Sequence, residues 1–340
     1  MKKVAAFGEL MLRLNPDGYL RLTQASDLHM SFAGGEANAA VSISNFGTDT
    51  VFVTKLPDND LGKMAVRELR KYGVNGDHIA WGGPRIGIYF VEKGASQRPS
   101  RVLYDRGGSS IALARREDFR WEEILEDCGW FHFTGITPAL GGECPDICRD
   151  ALRECKRRGI TVSCDLNYRG KLWSRKEAGE VMEGLMEYVD VCIANESDAA
   201  DVFGISAENS DIVTGELNRE GYISVARQLQ ERFSLKAAAI TLRKSFSASV
   251  NGWSAMIYTG QEAYFSPEYR VQLVDRVGGG DSFAGALIYA MNSGYGPQHA
   301  IDFAAAASCL KQTQEYDFNQ ATLEEVNSLM KGNASGRVQR

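Results

Sequence analysis

The feature that most limits what this 340-residue chain can fold into is a regular alternation of short β-rich runs with longer helical ones. Runs such as "VAAFG", "VFVTK", "WFHFT", "ITVSC", "DVCIA" and "AAAIT" alternate with stretches such as "LGKMAVRELRKYG" and "YISVARQLQERF". Strand, helix, strand in repetition predicts a parallel sheet covered on both faces by helices. Two segments break the rhythm. From Ile86 to Arg106, "IGIYFVEKGASQRPSRVLYDR" holds two strand-like pieces and a turn-rich link without a helix, which predicts a hairpin. The stretch from Leu12 to Phe32 is also strand and turn in character, and pairing it with that hairpin gives a small second sheet, a lid over the main one.

Composition narrows the class further. Hydrophobic residues at 44% and charged residues at 24% exclude disordered, collagen-like and disulfide-rich chains, and the length supports one main core over residues 1–330. A polar, glycine-containing tail, "KGNASGRVQR", follows at 331–340 and is expected to fray. A net charge of -6 without a clustered basic stripe argues against a nucleic-acid partner, so any anionic ligand needs local positive groups. The seven cysteines are odd in number and form no C-x-x-C pair, and they read as reduced structural thiols. At the N-terminus Glu9 and Arg13 interrupt the apolar run, so neither a signal peptide nor a membrane span fits and the expected location is the cytoplasm.

The chemistry concentrates in "DRVGGGDSFAGALIYA", residues 275–290. Phe283, Leu287 and Met291 recur at helical spacing, which places Gly278, Gly279 and Gly280 at the N-terminus of a buried helix. First-turn amides there lack intrahelical acceptors and sit at the positive end of the macrodipole, so an anion is welcome. Taken alone, the motif also fits a tight strand-to-helix turn capped by Asp281. An acid beside a phosphate pocket would repel its ligand, however, and its presence suggests a different task. Asp281 can accept the proton of an alcohol attacking phosphorus, while the neighbouring amides take the charge of the transferring group.

The pattern D-x-x-G-x-G-D, here Asp275 to Asp281, resembles the signature of the ribokinase-like, or PfkB, family of carbohydrate kinases, with Val277 where the family often has Thr and Gly279 where it often has Ala. The resemblance implies a ribokinase-like α/β fold, a three-layer αβα sandwich with a mostly parallel central sheet and a small β-sheet lid. A second family signature lies in "FAGGEANAAVSISNFG", residues 32–47, and by resemblance Gly34, Gly35 and Asn38 become sugar contacts. Within the family the chain looks most like the 2-keto-3-deoxygluconate kinases, on "FGELMLRL", "GIYFVEKG" with "VLYDRGGS", "FTGIT" and "DLNYRGKLWS". The implied substrate is a sugar acid phosphorylated at its terminal hydroxyl.

A buried carboxylate wants a fork of donors, which a guanidinium supplies, so Arg106 and Arg169 are the candidates for holding it. Tyr89, Tyr104 and Asp317 join them around the substrate by resemblance. ATP is implied by the family and not by a motif, since no G-x-x-x-x-G-K-[ST] is present. Its expected contacts are Asn167, Arg169, Thr241, Arg243, Ser245, Gly278 and Gly280, with Arg243, Lys244 and Ser245 standing where the family usually has glycines. Magnesium is expected to bridge the phosphates. In "NESD" the family's acidic metal position falls on Asp198, after Asn195, and the shorter side chain points to contact through water. The histidines lack ligand spacing, so no zinc site is expected. A lid with exposed strand edges suggests a homo-oligomer. The competing readings are a kinase for fructose or another neutral sugar, a nucleotide-binding regulator without catalysis, and a nicotinamide-dependent oxidoreductase, the last disfavoured by the missing G-x-G-x-x-G.

Overall fold

The computed structural model describes residues 1–195, 197–207 and 219–333; most of the polar tail, from 334, lies outside them. The strands in chain order are β1 (Lys3–Phe7), β2 (Met11–Asn15), β3 (His29–Ala33), β4 (Thr50–Val53), β5 (Lys55–Leu56), β6 (Ala80–Trp81), β7 (Gly87–Glu92), β8 (Arg101–Asp105), β9 (Cys128–Thr134), β10 (Thr161–Asp165), β11 (Val191–Asn195), β12 (Ala237–Ser245), β13 (Val250–Tyr258), β14 (Ala263–Phe265) and β15 (Tyr269–Gln272). The helices are α1 (Gly35–Asn45), α2 (Asp60–Lys71), α3 (Trp121–Ile124), α4 (Ile136–Ala139), α5 (Cys144–Arg158), α6 (Arg175–Met186), α7 (Asp198–Phe203), α8 (Arg219–Phe233), α9 (Gly279–Asn292), α10 (Pro297–Lys311) and α11 (Leu323–Met330).

The large sheet runs β14-β13-β12-β11-β10-β9-β1-β4, with β15 paired to β13. From β4 to β12 every pairing is parallel, and β13 joins β12 antiparallel, with β14 and β15 in turn antiparallel to β13. Both faces are covered, and the strands show why at single-residue resolution. On β11, Val191 and Ile193 pack into one core and Cys192 and Ala194 into another; on β12, Ala237 and Ala239 divide in the same way from Ala238 and Ile240. Period-two alternation thus reads as continuous hydrophobicity because each side meets a helical layer. One layer is α1, α9 and α10; the other holds α5, α6, α7 and α8. The cysteines are free, and all but the part-buried Cys128 are buried.

The layer of α1 and α9 sets the distance on which the site depends. A Cβ at Gly285 of α9 would lie 2.6 Å from the Ala39 carbonyl oxygen of α1, so only glycine lets the two helices approach this closely. Their N-termini therefore open side by side.

The second sheet, β3-β2-β7-β8, is the lid. Its β7–β8 pair is the hairpin read from 86–106, and β2 and β3 form a second antiparallel pair, joined to the first through a parallel β2–β7 contact. Across it, Ser31, Arg13, Tyr89 and Tyr104 fall on one face and Met30, Leu14, Phe90 and Leu103 on the other. Among the described residues no helix is long and apolar enough to cross a membrane.

Candidate active site

The strand order reverses its chain direction around β1, and in open α/β sheets the crevice beyond the strands' carboxyl ends is where ligands bind. A cleft of about 290 Å³ opens there, with the lid on one side. Gly34, Gly35, Asn38, Tyr89, Tyr104, Arg106, Asn167, Arg169, Asp198, Thr241, Arg243 and the run Gly278–Asp281 line it, together with Asp317. Ser245 does not line it; it borders a separate depression with Phe246 and Ala248.

The corner before α9 is built for close approach. Gly278 has φ +82, and a Cβ there would lie 2.3 Å from the Asp317 carbonyl oxygen. Around Gly280 nothing lies within 4 Å of where a side chain would start, so the space in front of the helix is open. The amides of Gly278, Gly280 and Asp281 have no acceptor among the described residues, which leaves three donors at the positive end of a fourteen-residue helix.

Asp281, half-buried in the first turn, accepts a 2.6 Å hydrogen bond from Asn38 Nδ2 on the first turn of α1. Burial pushes its carboxyl up to about 6 and Asp317 adds to the rise, against the opposing pull of the Asn38 bond and the Arg169 charge. A carboxylate so raised is a better proton acceptor than an ordinary aspartate yet is still mostly ionised at neutral pH.

Two further acids face the cleft. Asp165 ends β10 and is pushed well above the ordinary aspartate range by burial and by Asp198 and Asp281. Asp198, at the start of α7, is raised to about 6 by burial, while its oxygens accept the backbone N–H groups of Tyr168 at 3.2 Å and Asn195 at 3.1 Å. Among the described residues no three acidic, histidine or cysteine side chains are grouped to grip a cation. A magnesium ion keeps several waters and takes oxygen donors, so the donor set fits an ion held from the Asp198 side through water rather than in an all-protein cage. Asn167 adopts a left-handed φ of 39 two residues past the end of β10, a conformation asparagine tolerates better than most residues, and its N–H returns to Asp165 Oδ1 at 3.1 Å.

The arginines divide into committed and free. Arg106 is ion-paired to buried Glu9, whose other oxygen accepts Ser109 Oγ at 2.7 Å, and the guanidinium lies over the Tyr104 ring. Arg169 is exposed in the cleft, and among the described residues its guanidinium makes one long 3.5 Å contact, to the Tyr168 carbonyl. Arg243 and Arg276 face the same cleft, and burial together with the Arg243 charge lowers the Arg276 guanidinium. None of these three has an acidic ion-pair partner among the described residues.

Asp317 lines the cleft but its oxygens are occupied. Oδ2 pairs with Arg13 and Oδ1 accepts the Tyr89 hydroxyl at 2.7 Å, while the other arm of Arg13 pairs with Asp275 at 2.5 Å. Arg13 is fully buried; burial pulls its guanidinium down, and Asp317 and Asp275 more than offset this, leaving it raised. This network ties lid strands β2 and β7 to the loop before α9 and the loop after α10. The sequence reading missed Arg13, Asp165 and Asp275. The usable signal was the "LRL" alternation on β2, which turns Arg13 to the side opposite Leu12 and Leu14.

Comparison with known proteins agrees with this architecture. The pattern of the pfkB family carbohydrate kinases matches residues 1–321. A 2-dehydro-3-deoxygalactonokinase of Haloferax volcanii is 31% identical over 335 residues, covering 98% of each chain. The crystal structure of a 2-dehydro-3-deoxygluconokinase from Thermotoga maritima is 52% identical and superposes with a TM-score of 0.94 over 97% of this chain and 98% of that one. Fructokinase-1 of Oryza sativa is 25% identical over 288 residues, 84% of this chain and 81% of that protein.

Proposed function

Given that the chain belongs to the pfkB family of carbohydrate kinases, and so is a phosphotransferase with an alcohol group as acceptor, we propose that it transfers the γ-phosphate of ATP to the terminal hydroxyl of a sugar acid. The proposed reaction converts 2-keto-3-deoxygluconate to 2-keto-3-deoxy-6-phosphogluconate. The observation that carries the reading is the pairing of Asp281 with Asn38 beside three unsatisfied amides.

The sugar acid lies between the main sheet and the lid, where Gly34, Gly35 and Asn38 meet its hydroxyls and the stacked Tyr89 and Tyr104 form the lid wall. Arg169, the free guanidinium on the sugar side, takes the carboxylate as a two-pronged donor. Asp281 accepts the proton of the terminal hydroxyl as that oxygen bonds to the γ-phosphorus. The bond from phosphorus to the β-bridging oxygen breaks, and ADP leaves with that electron pair. The amides of Gly278, Gly280 and Asp281 face the charge spread over the transferring group. Thr241, Asn167, Arg243 and Arg276 border the side left for the nucleotide. When bound, magnesium would supply charge neutralisation for the phosphates, and Asp198 would hold it through water.

One observation favours the neutral-sugar alternative. Arg106 is spent on Glu9, so only Arg169 of the two arginines is free to hold a carboxylate. Phosphorus NMR on mixtures of enzyme, ATP and single sugars decides between them. One phosphomonoester per ADP is expected with 2-keto-3-deoxygluconate or its galactonate-derived epimer, and turnover of fructose alone would overturn the sugar-acid assignment. The outer lid face, with Met30 and Leu103 exposed beside Leu14 and Phe90, supports the proposed homo-oligomer.

A further inference from the structure

Lys311, the last residue of α10, is wholly buried and takes no part in the mechanism above, yet its ammonium donates to the carbonyl oxygens of Asp275 and, closely, Val277. One turn earlier on the same helix, Ser308 Oγ donates to the Gly279 carbonyl at 2.6 Å. We propose that Lys311, assisted by Ser308, is the positioning residue that aims the Gly278 and Gly280 amides at the transferring phosphoryl group and backs them with a fixed positive charge.

The argument is one of peptide geometry. In a planar trans peptide the C=O of one residue and the N–H of the next point in opposite directions. Holding the Val277 and Gly279 carbonyls against α10 therefore turns the Gly278 and Gly280 N–H groups to the far side of the corner. Both glycines line the cleft, and neither amide has an acceptor among the described residues. The alternation matters because each peptide could otherwise flip: Gly278 already sits at positive φ, and glycine opposes a flip only weakly. The ammonium behind the Asp275 and Val277 carbonyls also polarises their peptides, and in a site of low dielectric its charge acts through the Val277–Gly278 peptide on whatever develops negative charge in front. A neutral hydroxyl at position 311 could hold the carbonyls but would supply no charge. Burial lowers the lysine from its ordinary value, and Asp275 and Asp317 counter that.

The inference rests on the reading that this corner receives the phosphoryl group, so the test separates the two. Parental enzyme, Lys311→Met and Ser308→Ala are compared for kcat, sugar-acid KM, thermal melting, and affinity for ADP with and without aluminium fluoride, which mimics the transferring group. For Lys311→Met, a loss on the order of 100-fold in kcat is expected, with sugar KM and ADP affinity little changed. Fluoride-dependent tightening should fall in parallel, with partial recovery of rate in ammonium chloride. For Ser308→Ala about a tenfold loss of the same kind is expected, and it decides the question if the methionine variant does not fold. If the parent shows no fluoride-dependent tightening, the reading of the corner itself fails. If the parent tightens and a folded variant tightens and turns over equally well, only the role of Lys311 and Ser308 is overturned.

Discussion

Replacing Asp281 by Asn keeps the size of the side chain, the Asn38 contact through its amide oxygen, and all three corner amides, and it removes only the proton acceptor. The expected loss in kcat is that of a general base, about 10²- to 10⁴-fold, with nucleotide affinity unchanged. The structure adds a second, opposite consequence. Burial lifts this carboxyl from 3.8 to about 6, so the folded state prefers it protonated; that preference stabilises the fold at low pH and is lost as pH rises through about 6. At pH 7 the ionised aspartate therefore costs up to about 3 kcal/mol of stability, which the asparagine variant recovers. Urea unfolding at several pH values measures it. The variant should be more stable than the parent at pH 7, by an amount that shrinks between pH 6 and pH 4 and disappears below. A variant that is nearly inactive yet no more stable at pH 7 would refute the electrostatic account of Asp281; one with near-parental rate would refute the base assignment.

Arg169→Lys should raise the sugar-acid KM about tenfold or more through loss of the two-pronged contact and leave the ATP KM almost unchanged; steady-state kinetics with each substrate varied would show equal losses if the carboxylate role is wrong. Because the Arg169 charge lowers Asp281, Arg169→Gln should move the acidic limb of the kcat/KM profile to higher pH, so activity falls more at pH 6.5 than at pH 8. Gly280→Ala, whose added methyl meets no protein atom, should melt like the parent and lose on the order of 100-fold in turnover, since about 1 Å of misplacement costs that much. Arg13→Ala strands Asp275 and Asp317 without their partner and should cost about 3–5 kcal/mol in urea unfolding.

What was legible in the sequence was local. The glycine corner with Asp281 and the Gly34–Asn38 turn each declare themselves within a handful of residues and the hairpin of 86–106 within a single continuous stretch, and the strand-helix rhythm shows the layers. The Asn38–Asp281 bond joins residues far apart in the chain, and it exists because Gly285 lets α1 and α9 approach closely, which no spacing rule shows. Arg106 read well as a carboxylate fork, and only the fold reveals that Glu9 already fills it. Nothing in the sequence around Lys311 sets it apart from other cations in the last turn of a helix, and its burial follows from α10 ending beneath the glycine corner. Asp317 was placed at the site but not in its role, because both partners, Arg13 and Tyr89, come from the lid.

The most direct test of the central claim is a crystal structure of the enzyme with ADP, magnesium, aluminium fluoride and 2-keto-3-deoxygluconate. The account predicts the fluoride group against the amides of Gly278, Gly280 and Asp281, with the sugar's terminal hydroxyl in hydrogen-bond reach of the Asp281 carboxylate. A fluoride group bound away from those amides, or a terminal hydroxyl turned from Asp281, would contradict it.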